Sequence, residues 1–195
     1  MWNADSRLLV KLWLKSPLRI ATAAPSGQDV CAAMVEPVDP DAPGWMVELG
    51  GGTGPVTRAL IDHGIPPERL LVVENNAVLH RLLQERFPQV TAVNGDAGSL
   101  DAMLSAHGAT PVHTVISTLP ILTMPADLQR RILDSAFAAM GPGGRFLQIT
   151  YMPGSPVPKR RLRQWGYQAE VARFIARNFP PATIWCYQRQ ENRAG

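Results

Sequence analysis

The 195-residue chain has few cysteines, no clustered metal-ligand residues and no long apolar run. Its two cysteines, Cys31 and Cys186, lie far apart, which excludes a disulfide framework and favours a reducing, cytoplasmic setting. No apolar run approaches the ~20 residues that a membrane-spanning helix requires. The N-terminus also lacks the order of charges typical of a signal peptide. We therefore expect a cytoplasmic protein that holds no metal.

Charge is scarce, at 18% of residues and a net +3, but it is distributed unevenly. Residues 1–20 carry four cations against Asp5 alone, and residues 159–177 carry six cations against Glu170 alone. Both ends of the chain are therefore basic, whereas the middle is close to neutral. This distribution predicts an anionic surface or an anionic substrate group as partner.

The middle of the chain alternates strand-like and helix-like stretches, which predicts an α/β fold with a mostly parallel sheet. The last two predicted strands, joined by Asn178-Phe-Pro-Pro181, are expected to form an antiparallel hairpin at the sheet edge. Strands are predicted at 45–50, 70–74, 90–93, 112–117, 145–151, 168–177 and 182–189, and helices at 54–63, 76–87, 98–106 and 125–140.

The first 36 residues have a different pattern and are predicted to form a separate unit of two helices, with the main domain spanning 37–195. Arg7, Lys11 and Lys15 recur every four residues and so share one face of a helix that is apolar over most of its circumference. This pattern is typical of a helix that lies at a membrane surface. An ordinary core-packing helix is the alternative.

A glycine-rich turn follows the first predicted strand and ends an apolar run at Glu48. Its glycines, Gly50, Gly52 and Gly54, allow a ligand to approach the backbone closely. Twenty residues later a second apolar strand ends at Glu74, which can accept hydrogen bonds from both ribose hydroxyls. An acidic residue before the loop would repel a pyrophosphate but suits the cationic amino-acid tail of S-adenosylmethionine. A glycine turn without a ligand, with Glu48 as a purely structural residue, is the alternative.

Polar residues also follow the third and fourth strands. Asp96 is placed to accept a hydrogen bond from the adenine amine, or alternatively to cap the next helix. The fourth strand ends in Ser117-Thr-Leu-Pro-Ile121, which should face the reacting methyl group. Enzymes that methylate base amines usually have Asn or Asp and an aromatic residue here. Ser117 and Ile121 offer no stacking platform, which argues against a nucleobase substrate.

Over nearly its whole length the chain resembles the bacterial phosphatidylethanolamine N-methyltransferases, which are peripheral-membrane proteins with a class I methyltransferase fold. Gly51 departs from the family pattern, which usually has proline, and we expect this glycine to loosen the loop slightly. The resemblance is carried by residues 11–19, 25–26, 47–54, 57–60, 65–69, 117–122, 148–151, 156–158 and 178–182.

The resemblance implies methyl transfer from S-adenosylmethionine to phosphatidylethanolamine, toward phosphatidylcholine, with S-adenosylhomocysteine as product. The expected partner is an anionic membrane, bound at the inner face of the cytoplasmic membrane through residues 1–20, with Lys159–Arg163 as a second contact or simply a solvated basic loop. No nucleic acid and no obligate protein partner is expected. The predicted catalytic residues are Tyr151, which is alternatively a half-buried strand aromatic, and Ser117. The predicted cofactor residues are Ser26, Glu48, Gly50, Gly52, Gly54, Glu74, Asn75, Asp96, Ala97, Ser117 and Leu119.

Two other hypotheses remain open at this point. An RNA adenine dimethyltransferase would share the nucleoside site and the basic ends of the chain. A non-catalytic membrane- or RNA-binding module would keep only the fold, and the intact acidic and glycine positions disfavour it.

Overall fold

The computed structural model describes residues 28–152, 154–176 and 181–190. The predicted membrane-binding helix within residues 1–20, Ser26 and most of the hairpin connection lie outside these ranges. The described elements are α1 (Gln28–Val35), β1 (Trp45–Leu49), α2 (Pro55–Asp62), β2 (Leu70–Glu74), α3 (Ala77–Arg86), β3 (Thr91–Asn94), α4 (Leu100–Ala106), β4 (Val112–Ser117), α5 (Ala126–Ala139), β5 (Met140–Thr150), α6 (Lys159–Gln164), β6 (Tyr167–Ile175) and β7 (Ala182–Arg189).

The strands form one seven-stranded sheet in the order β3-β2-β1-β4-β5-β7-β6. The first five strands are parallel, and β7 pairs antiparallel to both β5 and β6. This confirms the predicted α/β architecture and its antiparallel edge hairpin. The central strands are apolar because a parallel sheet covered on both faces leaves them no solvent-facing side.

Helices cover both faces of the sheet and create two apolar cores. One face packs against α4, α5 and α6 and includes Phe137, Phe146 and Tyr187. The opposite face packs against α1, α2 and α3 and includes Met34, Met46 and Leu60. Because α1 contributes buried side chains to this second core, it packs directly on the sheet. The proposed boundary between residues 36 and 37 stays a prediction.

The fifth strand begins earlier than predicted, at Met140 rather than residue 145. Met140 pairs with Val112, and pairing resumes at Arg145 opposite Thr114, so the intervening Gly141-Pro-Gly-Gly144 is inserted into the strand. The same glycines do end the preceding helix, as expected, because α5 stops at Ala139. The glycine signal was therefore correct for the helix but misplaced the start of the strand.

A short helix, α6, occupies the basic segment that was expected to be a loop or a surface contact. It follows Pro158 and is anchored by Leu162, which is fully buried in the first core. A single buried leucine among cations gives too weak a periodic signal for prediction. No helix within the described ranges is both long and apolar enough to cross a bilayer.

Candidate active site

The glycine-rich turn leaves the carboxyl end of β1 beside the end of β2. Gly50 and Gly51 both donate their N–H to the Val73 carbonyl, at 2.8 and 3.3 Å. Gly54 has φ +89°, and a Cβ there would lie 2.2 Å from a ring carbon of Phe87. Both the backbone conformation and the close contact require glycine at this position. At Gly52, in contrast, a Cβ would meet only one atom, 4.0 Å away, so that stretch of backbone is open to a ligand.

Gly51 is enclosed rather than loose. A Cβ at this position would lie 2.4 Å from Val72 Cγ1 and 2.9 Å from Leu83 Cδ1. The proline of the related family would also lose the Gly51 N–H bond to Val73. Val72 and Leu83 thus fill the space that a proline ring would need, and the slight loosening of the loop stays a prediction.

Glu48 is fully buried at the end of β1 and has one oxygen unpartnered. Thr57 on α2 donates to Glu48 Oε2 at 2.6 Å, whereas Oε1 has no hydrogen-bond partner within the described residues. The pKa of Glu48 is raised to about 8, chiefly by burial and in addition by the nearby Glu74 charge, while the hydrogen bonds from Thr57 lower it. A buried acceptor of this kind is costly unless it is paired. Its geometry and charge fit a cationic ligand group such as an α-ammonium.

Glu74, at the end of β2, orders both neighbouring turns. It accepts from Gly52 N–H at 2.9 Å through one oxygen and from Asn76 N–H at 2.8 Å through the other. A carboxylate has about four acceptor positions, so each oxygen keeps one for a ribose hydroxyl. The predicted cofactor residue Asn75 is exposed between them, while Asn76 caps α3 by accepting from Val78 and Leu79.

Asp96 acts as a cap for the 3₁₀ turn Ala97–Ser99. Its Oδ1 accepts from Gly98 N–H at 3.0 Å, and its Oδ2 lies 3.8 Å from Arg131 in an exposed ion pair. The predicted cofactor residue Ala97 is buried directly after it. The capping alternative is thus present in the structure, and the adenine contact stays a prediction.

The end of β4 is tied both to the glycine turn and to β5. Thr118 Oγ1 donates to the Gly50 carbonyl at 2.6 Å, and Leu119 N–H donates to Ser117 Oγ at 3.3 Å. Gln148 Nε2 on β5 donates to the Leu119 carbonyl at 3.0 Å. Thr118 and Gln148 were not predicted as site residues, because their partners lie 68 and 29 residues away in the chain.

The two predicted catalytic residues point to opposite faces of the sheet. Ser117 is fully buried and pairs with Gln148, which pairs with Trp185 of the first core. Tyr151 is half-buried and packs against the second core. Ser117 and Leu119 are in direct contact through a hydrogen bond. A role for Tyr151 beside them at the amine that receives the methyl group stays a prediction.

The basic helix α6 begins beside Trp185 on β7. Lys159 Nζ lies 5.3 Å from the Trp185 ring centroid, and Arg161 donates to Gln129 at 3.1 Å. Arg160 and Arg163 are exposed. Within the described ranges no group of three or more histidine, cysteine or acidic side chains is placed to hold a metal ion.

The chain is similar along nearly its whole length to a lipid-modifying enzyme. The ornithine lipid N-methyltransferase of Singulisphaera acidiphila is 32% identical over 189 residues, which cover 91% of this chain and 93% of that protein. A shorter similarity, 38% over 87 residues, relates 43% of this chain to 28% of the ribosomal RNA small subunit methyltransferase A of a Synechococcus species. No protein-family model matches the chain.

The fold is also that of solved methyltransferases. The glycopeptide N-methyltransferase MtfA, solved with sinefungin, superposes with a TM-score of 0.66 at 15% identity, covering 85% of this chain and 87% of MtfA. MtfA has also been solved with S-adenosylmethionine and with S-adenosylhomocysteine. The chain belongs to the class I S-adenosylmethionine-dependent methyltransferases and, within them, to the family of the ornithine lipid N-methyltransferase.

Proposed function

We propose that this protein methylates the amine of phosphatidylethanolamine at a membrane surface, toward phosphatidylcholine. The observation that carries the proposal is the relationship, over almost the full length, to a lipid N-methyltransferase. The turn after β4 supports it, because this turn has the buried Ile121 where a base-methylating enzyme would place an aromatic platform.

The cofactor side of the site is formed by residues that fit each part of the methyl donor. Glu48 Oε1, which has no partner among the described residues, would accept from the ammonium, and the open backbone at Gly52 leaves room for the ligand. Glu74 would accept from the ribose hydroxyls, and Asp96 from the adenine amine. When bound, S-adenosylmethionine supplies a methyl group that its sulfonium already activates. The chain therefore contributes mainly alignment of the reactants.

The acceptor amine must be unprotonated to attack the methyl group. The Leu119 carbonyl and Ser117 lie at the end of β4. In a doubly wound sheet, the substrate that receives the methyl group is expected at this position. The apolar residues of this turn disfavour an ammonium and so lower the pKa of a lipid amine that enters it. A neutral amine held there would be able to take up the methyl group that the bound donor supplies, and the surplus N–H proton would be released to water.

Membrane contact would occur at the inner face of the cytoplasmic membrane, through residues 1–20 and through α6. Lys159, Arg160 and Arg163 on α6 are exposed, so their charges are available to lipid phosphates. Each such cation near an anionic bilayer contributes about 1 kcal/mol of binding. Cosedimentation with anionic and neutral vesicles, using the full chain and a variant without residues 1–20, measures the two contributions.

The function is tested by incubating the full-length protein with S-adenosylmethionine carrying a labelled methyl group and three acceptors. These are phosphatidylethanolamine vesicles, ornithine lipid vesicles and ribosomal RNA. We expect label in phosphatidylethanolamine. Label in ornithine lipid alone would move the acceptor to that lipid, in line with the activity of the relative from Singulisphaera acidiphila.

Label in RNA and none in lipid would overturn the proposal in favour of an RNA adenine dimethyltransferase. Ribosomal RNA is included among the acceptors because part of the chain is related to an RNA methyltransferase. The Glu74→Ala variant, in which we expect cofactor binding to be lost, is the control for donor-dependent labelling.

A further inference from the structure

Two buried polar atoms without a hydrogen-bond partner belong to residues that are directly paired across β5 and β7. Gln148 Oε1 and Trp185 Nε1 have no partner among the described residues, and the two side chains are 1% and 6% exposed. Gln148 and Trp185 are register partners, so their side chains emerge on the same face of the sheet. One atom is an acceptor and the other a donor. Such groups in a folded protein require an explanation, and a ligand is one.

The orientation of the Gln148 amide is determined by its neighbours. Nε2 donates to the Leu119 carbonyl at 3.0 Å and to the Ile149 carbonyl at 2.8 Å. Carbonyl oxygens can only accept, so a flipped amide would place oxygen against two oxygens. The unpartnered atom is therefore the acceptor Oε1.

This acceptor lies next to the place where the reacting amine is expected. Ser117 on β4 pairs directly with Gln148, and Gln148 pairs with Trp185. The Leu119 carbonyl already accepts from Gln148 Nε2 and, at 2.8 Å, from Ile121 N–H, so both of its lone pairs are used. One acceptor, Gln148 Oε1, is thus available to an N–H group at the end of β4.

The neighbouring Trp185 supplies the opposite chemistry. Its indole N–H is a donor only, and Lys159 Nζ lies 5.3 Å from the ring centroid. An indole N–H with a cation over the face of the same ring suits an acidic oxygen, whether of a phosphate or of a carboxylate. The cluster therefore has one end that accepts a hydrogen bond from an amine and one end that donates a hydrogen bond to an acid group.

We propose that Gln148 and Trp185 form the headgroup subsite for a lipid that carries both an amine and an acid group. Gln148 Oε1 accepts from the amine, while Trp185 Nε1 donates to the acid, beside the charge of Lys159. The inference rests on the proposed function and deepens it. A primary amine has two N–H groups for this site, a monomethylated amine has one and a dimethylated amine has none. The subsite therefore favours amines that keep an N–H group over the dimethylated lipid.

The amine end is tested with Gln148→Met, which keeps the length of the side chain but removes its acceptor. The matched control is Gln129→Met. Gln129 is also buried, but all its polar atoms are partnered, and it holds the Ile121 and Met124 carbonyls of the same turn. Calorimetry on the full-length proteins saturated with S-adenosylhomocysteine measures the binding of short-chain phosphatidylethanolamine and of its N,N-dimethyl form.

We expect the unsubstituted protein to bind the primary amine about tenfold more tightly than the dimethylated one. The ratio should fall to about twofold or less in Gln148→Met and stay unchanged in Gln129→Met. An unchanged ratio in a folded Gln148→Met protein would overturn the amine assignment. Because the ratio is measured by binding, it is independent of turnover. Failure of the unsubstituted protein to methylate any lipid would instead count against the proposed function.

The acid end is tested with Trp185→Phe, which keeps the ring beside Lys159 but removes the N–H. This variant should weaken binding of headgroups that carry an acid by about fivefold and leave a simple alkylamine unaffected. Comparison of two lipids identifies the acid group. A larger loss of affinity for phosphatidylethanolamine marks the phosphate, and a larger loss for ornithine lipid marks the carboxylate. Equal weakening of the alkylamine, or no weakening at all, would show that an ordered water or packing occupies the position.

Discussion

The two halves of the site are built by different means. In the cofactor half, between β1, β2 and β3, Glu74 and Asp96 accept from backbone N–H groups two residues further along the chain. In the acceptor half, between β4, β5 and β7, the Leu119 carbonyl is held by Gln148, and Gln148 lies beside Trp185. The first half depends largely on local turns and the second on contacts between distant strands.

Each half contains buried polar atoms without a partner beside atoms that are already satisfied. Glu74 already accepts two backbone bonds, so the turn around it is ordered before any ligand arrives. Glu48 Oε1, Gln148 Oε1 and Trp185 Nε1 have no partners among the described residues. Unsatisfied buried groups are destabilising, so Glu48 Oε1 on one face of the sheet and the Gln148 and Trp185 atoms on the other mark positions where ligands would supply the missing bonds.

The largest expected effect separates the two halves. Glu74→Ala removes the ribose acceptor together with the bonds that order Gly52 and Asn76. Binding of S-adenosylhomocysteine should weaken at least about 100-fold, while binding of a short-chain lipid should change little. Calorimetry measures both affinities, with the exposed Glu85→Ala as control. Unchanged cofactor affinity would show that the ribose assignment is wrong.

A second prediction concerns Glu48, the buried carboxyl at the junction of the halves. Its pKa is raised from 4.5 to about 8, so the folded protein binds more protons than the unfolded chain between these values. The free energy of unfolding should therefore fall as the pH rises from about 4.5 to about 8. Glu48→Gln should flatten this decline, and urea unfolding at several pH values measures it.

The same substitution should weaken cofactor binding, because an amide cannot provide the charge that an ammonium requires. In the unsubstituted protein, cofactor affinity should rise as the pH approaches 8, where the carboxylate forms. Glu85→Gln should reproduce neither effect. A pH-independent affinity in the unsubstituted protein would contradict a direct contact between Glu48 and the ammonium.

The smallest expected effect is at Asp96. Asp96→Ser keeps a good capping residue for the Ala97–Ser99 turn but is too short to reach the adenine amine. We expect stability within about 0.5 kcal/mol of the unsubstituted protein and an affinity for S-adenosylhomocysteine about three- to tenfold lower. Unchanged affinity in calorimetry would leave Asp96 with its capping role alone.

The cofactor half was largely predictable from the sequence. The apolar strands ending at Glu48 and Glu74 and the glycines at fixed spacing are local patterns, and the structure brings these carboxyl ends together on neighbouring strands. The close packing around Gly51 was less predictable. The space at this position is filled by Val72 and Leu83, which belong to other elements.

The acceptor half was predictable only in part. Ser117 and Leu119 follow from their position at the end of the fourth strand, whereas Gln148 resembles an ordinary polar residue within a strand. Tyr151 was chosen because it was predicted to lie at the carboxyl end of the fifth strand, yet it packs on the face of the sheet opposite Ser117. A shift of one residue along a strand reverses the face, and no local pattern marks which face carries the site.

The sequence by itself determined the α/β architecture, the glycine turn and the acidic residues around it, because these depend on periodicity and on residues close together in the chain. The tertiary structure decided which polar atoms remain without partners and which residues meet across strands. That difference has a physical cause. Hydrogen-bond satisfaction is a property of the packed molecule, and the pairing of Gln148 with Leu119 and Trp185 exists only once β4, β5 and β7 lie side by side.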